Sequence, residues 1–163
     1  MLTVAPSQPE VFANPAAAWA ARPGAAKAIN EDGTVNTAEN PARLGSVVSI
    51  WVTGAGAMSK EKPDGTIVTG DLGKPALPVS MMSFGQDPRI PQAERELIYV
   101  GDAPSMVRGV VQINFRLPRE PERSGPIEQI GSVAKIGDAV SKDFFVWICP
   151  EYPGTRPCVS PKP

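Results

Sequence analysis

An all-β sandwich is the fold class this chain predicts, and three features predict it. Proline and glycine are frequent, 19 and 15 among 163 residues, and both interrupt helices. Several apolar runs alternate with a period of two, as half-buried strands do. Those runs are short and separated by Pro/Gly turns, which suits a sandwich better than βαβ units.

Taken from the front, residues 1–24 read as an extended segment followed by a short helical turn. Leu2–Ala13 carries Leu2, Val4, Val11 and Phe12 among polar residues and prolines. Ala16–Ala21 (AAAWAA) is the one helical stretch, and Arg22-Pro23-Gly24 ends it. Residues 25–148 are the expected sandwich. It opens with a hairpin in which Ala25–Asn30 and Thr34–Asn36 flank Glu31-Asp32-Gly33, since Asp-Gly is a strong hairpin signal.

In Ser46–Val52, Val48, Ile50 and Val52 share one face, with Val47 and Trp51 on the other. The clearest alternation is Val111–Leu117: Val111, Ile113, Phe115 and Leu117 point to the core, and Gln112, Asn114 and Arg116 point to water. Pro118 then ends the ladder. Val79–Phe84, Glu96–Val100, Ile127–Ile136 and Phe144–Cys149 are weaker strands of the same kind. Residues 149–163 form a proline-rich tail. Its cysteines, Cys149 and Cys158, enclose eight Pro/Gly-rich residues able to turn back. A disulfide is expected there, contributing roughly 2–3 kcal/mol if unstrained and implying an oxidising compartment. The alternative is two unrelated thiols; a metal site would lack ligands.

Thr53-Gly54-Ala55-Gly56 raises the question of a phosphate cradle. A dinucleotide fingerprint needs a third glycine and a helix, but Ser59 stands at that position and Pro63 follows closely. Without a helix N-terminus no converging N–H groups are offered to a phosphate. The glycines are therefore expected to supply turn dihedrals at a sandwich corner.

Chemistry is constrained further by composition. Sixteen basic and seventeen acidic residues give a formal charge of −1, with no basic stripe for nucleic acid. No apolar run approaches the length of about 18 residues that spans a bilayer. The chain has no histidine, so His-based nucleophile triads and the usual Cys/His zinc sites are excluded. The carboxylate pairs Glu94/Glu96 and Asp64/Asp71 lie in charged loops, where solvation is the expected role rather than glycosidase chemistry. Asp32, Asp64, Asp71 and Asp102 are loop oxygens of the type calcium uses, but none forms a dense EF-hand run. No cofactor is expected. Trp51 and Trp147 read as strand residues that cover the sheets. Trp19 and Tyr152 are the aromatic faces left as candidate ligand contacts.

MLTVAPSQPE has neither a basic n-region nor an apolar h-region. Met1 is accordingly expected to lie within a longer precursor rather than at an ordinary cytoplasmic start.

The blocks AINEDGTVNTAENPARLGSVVSIWVTGAG, PDGTI, LPVSMMSFG and LIYVGDAPSMVRGVVQINFRLP, in that order, resemble an uncharacterised domain family. It recurs at the C-termini of large secreted proteins of Solibacter-type acidobacteria. The strand from Gly45 into Thr53-Gly54 is also similar to the opening strand of immunoglobulin-like IPT/TIG modules. The resemblance spans residues 4–148 and implies an extracellular, immunoglobulin-like sandwich with no catalytic residues. Residues Gln86–Arg95 and the Cys149–Cys158 tail depart from the pattern.

The function expected from these readings is a secreted, non-catalytic structural or interaction module at the cell surface. Its partners would be other protein subunits or parent-protein domains. Such modules polymerise when an extended N-terminal segment completes a neighbour's sheet, and Leu2, Val4, Val11 and Phe12 would be the donor residues here. The alternative is a carbohydrate-binding module that meets a cell-surface glycan through Trp19 and Tyr152.

Overall fold

A computed structural model of the chain describes residues 4–14, 24–84, 93–119 and 129–149. Among them are twelve strands and no helix: β1 (Glu10–Val11), β2 (Gly24–Ala25), β3 (Ala28–Ile29), β4 (Ala42–Arg43), β5 (Val47–Thr53), β6 (Val79–Phe84), β7 (Ala93–Glu94), β8 (Leu97–Asp102), β9 (Val111–Arg116), β10 (Gln129–Ile136), β11 (Ala139–Val140) and β12 (Phe144–Cys149). The helical turn expected at Ala16–Ala21 lies outside the described residues.

The strands form two sheets. In the first, the order is β1–β5–β9–β8, with β3 also pairing β5. In the second, it is β2–β12–β10–β6–β7, with β4 also pairing β12 and β11 pairing β10. Alternation in the sequence sets which face is buried. From the first sheet, Val48, Ile50, Val52, Val111, Ile113 and Phe115 point inward. From the second, Met81, Ile130, Ala134, Ile136, Phe144, Val146 and Ile148 meet them in one apolar cluster. The chain is thus a β-sandwich.

β6 and β12 coincide with the expected strands, and β5, β8 and β9 differ from expectation by one or two residues at an end. β10 begins at Gln129, the first described residue after 119, so the front of the expected Ile127–Ile136 strand is not described. The first expected hairpin is only half present. Its turn exists: Gly33 has φ +83°, the Asn30 N–H donates to Thr34 O at 2.8 Å, and Ile29 bridges Val35. However, Ala25–Asn30 is not one strand. Ala25 pairs with β12 in the second sheet, and Ala28–Ile29 pairs with β5 in the first. Small residues let the chain cross between the layers here: Ala26 and Ala28 are both buried.

From β1 to β5 the chain passes back and forth between the sheets and closes one side of the sandwich. Its contact with β12 is completed by a side chain. Phe145 O accepts from the Ala26 N–H at 2.8 Å, and Ile148–Cys149 pairs with β4. Trp147, between them, has no backbone partner on that side. The Asn36 carboxamide replaces one: its Oδ1 accepts from the Trp147 N–H at 2.8 Å and its Nδ2 donates to Trp147 O at 2.8 Å. Asn36 Nδ2 also donates to Asn30 Oδ1 at 2.9 Å, and Asn30 Nδ2 donates to Asn40 O at 3.1 Å. Asn30 and Asn36 are both buried, and the bond between their side chains is made away from water.

Asn36→Ala should therefore destabilise the fold by about 2–4 kcal/mol, because it strands the Trp147 N–H and C=O together. Val35→Ala at the exposed neighbouring position should change stability by no more than about 0.5 kcal/mol. Urea denaturation of the two variants checks the contrast.

Candidate interaction surfaces

The N-terminal segment lies along its own chain. Glu10 and Val11 pair with Thr53 and Val52, the Phe12 N–H donates to Trp51 O at 3.0 Å, and the Gln8 N–H donates to Gly54 O at 2.8 Å. On the other side, the Lys27 N–H donates to Phe12 O and Ala13 bridges Ala26. The buried Ser7 hydroxyl donates to Ile136 O at 2.8 Å. Of the expected donor residues, Val11 enters the core, Phe12 is partly exposed and Val4 is 87 % exposed. Leu2 lies outside the described residues.

This segment explains Thr53-Gly54-Ala55-Gly56. Gly54 and Gly56 have φ of +72° and +78°, the turn dihedrals expected of glycine. A second cause is steric. A Cβ on Gly54 would sit 1.9 Å from Gln8 O, and one on Gly56 would sit 2.1 Å from Pro6 O. The glycines form a track on which another stretch of backbone rests.

Loops 54–78 and 103–110 meet at one end of the sandwich. Met58 bridges Pro75 and Ile67 bridges Val107, while the Val68 N–H donates to Met106 O at 2.9 Å. Val68 is buried beneath them, but Ile67, Leu72, Met106 and Val107 are exposed. At the base of these loops lies an ionic cluster. Asp102, at the end of β8, is buried; its Oδ2 accepts from the Gly73 N–H at 2.9 Å and stands 3.5 Å from Lys62 Nζ. Lys60 pairs with Asp71. The Tyr99 hydroxyl donates to Asp102 O at 2.7 Å. Its pKa is raised, first by burial and then by the negative charge of Asp102.

The outer face of the second sheet carries an edge-to-face pair, Phe145 and Trp147, with ring centroids 5.2 Å apart. Beside it a groove of about 600 Å³ has an apolar lining of Met82, Val133 and Val140 and a charged lining of Glu94, Lys135 and Asp143. Trp147 therefore sits in a strand on the outer sheet surface, and Trp51 does so in β5. Trp19 and Tyr152 lie outside the described residues.

The carboxylates singled out in the sequence are drawn to different partners. Glu96 Oε2 accepts from Arg116 Nε at 2.8 Å, Asp71 meets Lys60, and Asp64 stands 3.9 Å from Arg108. Asp32 Oδ1 accepts from the Thr34 hydroxyl at 2.6 Å and from its N–H at 3.0 Å, and the two bonds in that order hold its pKa low. Of the four aspartates considered for calcium, Asp71 and Asp102 are the two tied into one cluster. Among the described residues no three His, Cys, Asp or Glu side chains gather as a metal group. Cys149 ends β12, is buried, and is not a free thiol; Cys158 lies outside the described residues.

No family profile, no curated protein and no solved structure matches the chain.

The glycine track separates two effects experimentally. Gly65 has φ +77° with nothing within 4 Å of an added Cβ, so Gly65→Ala should cost only about 1–2 kcal/mol of backbone strain. Gly54→Ala should cost that strain plus about 1–3 kcal/mol of steric conflict, and should free the front of the chain. Denaturation and limited proteolysis near Gln8 measure both.

Proposed function

We propose that the chain is a non-catalytic, extracellular immunoglobulin-like module that acts as a structural or interaction unit, assembling at the cell surface through its N-terminal segment. The strand order supports the immunoglobulin-like reading. The path β1/β3–β5–β9–β8 opposite β12–β10–β6–β7 corresponds to A-B-E-D opposite G-F-C-C′. The first strand divides between the sheets, antiparallel to β5 and parallel to β12. The proposal keeps the resemblance to the secreted acidobacterial domain family. It also keeps the Cys149–Cys158 bridge, supported by the bonded state of Cys149 and the presence of one other cysteine. An intact bridge would make the native chain about 2 Da lighter than the reduced one, because each disulfide removes two hydrogens.

The observation that carries the assembly reading is the N-terminal track. Residues 6–14 are held mainly by strand-type backbone bonds to Trp51, Gly54 and Ala25, with Val11 filling one core position and Ser7 bonded to Ile136 O. A segment held in this way is replaceable by the same segment of another copy, the geometry of strand addition. Non-catalytic action is supported by the lack of histidine and by carboxylates engaged with Arg116, Lys60 and Thr34. The glycan alternative rests on Trp19 and Tyr152 and gains no further support from the described residues.

The experiment is complementation in trans. A chain lacking residues 1–14 should melt lower than the full chain and recover on addition of a synthetic peptide of residues 1–14. The same peptide with Val11→Asp should fail. Full-length chain refolded at high concentration should give particles of regular repeat by light scattering and negative-stain microscopy. A truncated chain indifferent to the peptide, together with a strictly monomeric full chain, sinks the reading.

A further inference from the structure

The ionic cluster at the loop end has the form of a cation site with an ammonium inside it. Lys62 Nζ donates to Asp71 O at 2.8 Å and to Gly70 O at 3.0 Å, and stands 3.5 Å from Asp102 Oδ2. Two adjacent backbone carbonyls and a carboxylate are oxygen ligands of the kind hard cations take. The side chains of Lys62 and Asp102 are only 15 % and 2 % exposed. The backbone is bent to present those carbonyls: Asp71 is one of two described non-glycine residues with positive φ, at +50°.

A second observation is independent of the lysine. Asp102 Oδ1 is buried and has no hydrogen-bond partner. Buried carboxylate oxygens are normally satisfied. Lys62 serves Oδ2 at a long distance and leaves Oδ1 vacant, so the cluster has more acceptor capacity than one ammonium uses. The neighbouring carboxylate of Asp71 is held aside by Lys60.

We propose that Gly70 O, Asp71 O and the Asp102 carboxylate form a cation site whose resident cation is the Lys62 ammonium, and that the site takes calcium when that ammonium is removed. The tethered ammonium fastens loop 54–78 to the end of β8 without any dissolved ion. In its absence Asp102 can offer both oxygens, and the two carbonyls remain in place because the loop is closed by the Ser59 N–H donating to Lys74 O and the Lys74 N–H donating to Ser59 Oγ. Oxygen sets with few charges bind calcium in the ~0.1–1 mM range in extracellular modules. The cage contains one carboxylate, or two if Lys60 releases Asp71.

The test uses the full chain with Lys62→Ala, and Lys62→Ser as a second variant whose side chain is too short to reach the carbonyls. Lys62→Ala should lower Tm by about 10 °C, as expected for a buried carboxylate left without its partner. Calcium chloride at about 10 mM should then raise its Tm by about 4 °C, while leaving the parent chain unmoved. Terbium offers a second readout that does not depend on stability. Tyr99 donates to Asp102 O and would sensitise a lanthanide bound beside it, so emission excited through tyrosine should appear in Lys62→Ala and disappear in Lys62→Ala/Asp102→Asn. If Lys62→Ala does not fold, Lys62→Ser carries the terbium measurement. Folded variants with no calcium shift and no Asp102-dependent terbium emission overturn the site. An equal calcium shift in the parent chain overturns the lysine as its resident cation.

Discussion

The open side of β12 is the constraint around which this sandwich is arranged. A strand at a sheet edge presents unpaired N–H and C=O groups, and proteins cover or blunt such edges. Here the cover is a stretch of chain that belongs to neither sheet for long. β2 and β4 take the two ends of β12 in parallel, and the Asn36 carboxamide takes Trp147 between them. A planar amide suits that role because an N–H and its C=O stand in the spacing of a peptide group, with a second N–H left to reach Asn30. Its own orientation is fixed by Asn30, which is in turn held by Thr34 and Asn40. Asn30 and Asn36, the buried residues in the polar run between Ile29 and Ala42, therefore join the layers at this seam through hydrogen bonds.

The same economy governs the opposite end of β5. The strand leaves the sheet through Gly54 and Gly56, and the chain's own front end rests where side chains would otherwise stand. One pair of residues thus serves two conditions at once: a left-handed turn and a close backbone approach. Each condition alone favours glycine, and together they leave no alternative that keeps residues 6–9 in place. Val11 in the core and Ser7 on Ile136 then tie this front end to both sheets.

Strand periodicity carried most of the fold because a half-buried strand writes its burial into alternate residues. Val111–Leu117 and Ser46–Val52 are legible for that reason, and each lines the core as read. The two-residue strands β1, β2, β3, β4, β7 and β11 are too short to display a period, and the existence of the first four depends on partners far away in sequence. The splitting of Ala25–Asn30 between two sheets was hidden for the same reason: alanines are compatible with either layer. Asn36 was equally silent, since at the end of the expected hairpin strand Thr34–Asn36 nothing marks its distant partner Trp147. The aspartates considered for calcium were visible as residue types, but the carbonyls and Lys62 that give Asp102 its setting were not. Backbone oxygens have no signature in sequence.

The assembly proposed for the front segment would follow a kinetic logic set by this architecture. The segment belongs to the same chain as its track, so its effective concentration at that track is far above that of a free second copy. Once a chain has folded around its own segment, exchange requires Val11 to leave the core and the bonds to Trp51, Gly54 and Lys27 to open together. Neighbouring copies compete only while the track is still empty, which places any exchange during folding. A module that meets many copies of itself as it folds, at a crowded surface, is in the regime where exchange wins; a dilute, already folded chain is not. The strand bonds are the same in either state, so their energies do not choose between a closed monomer and a linked assembly. The order of folding and encounter does.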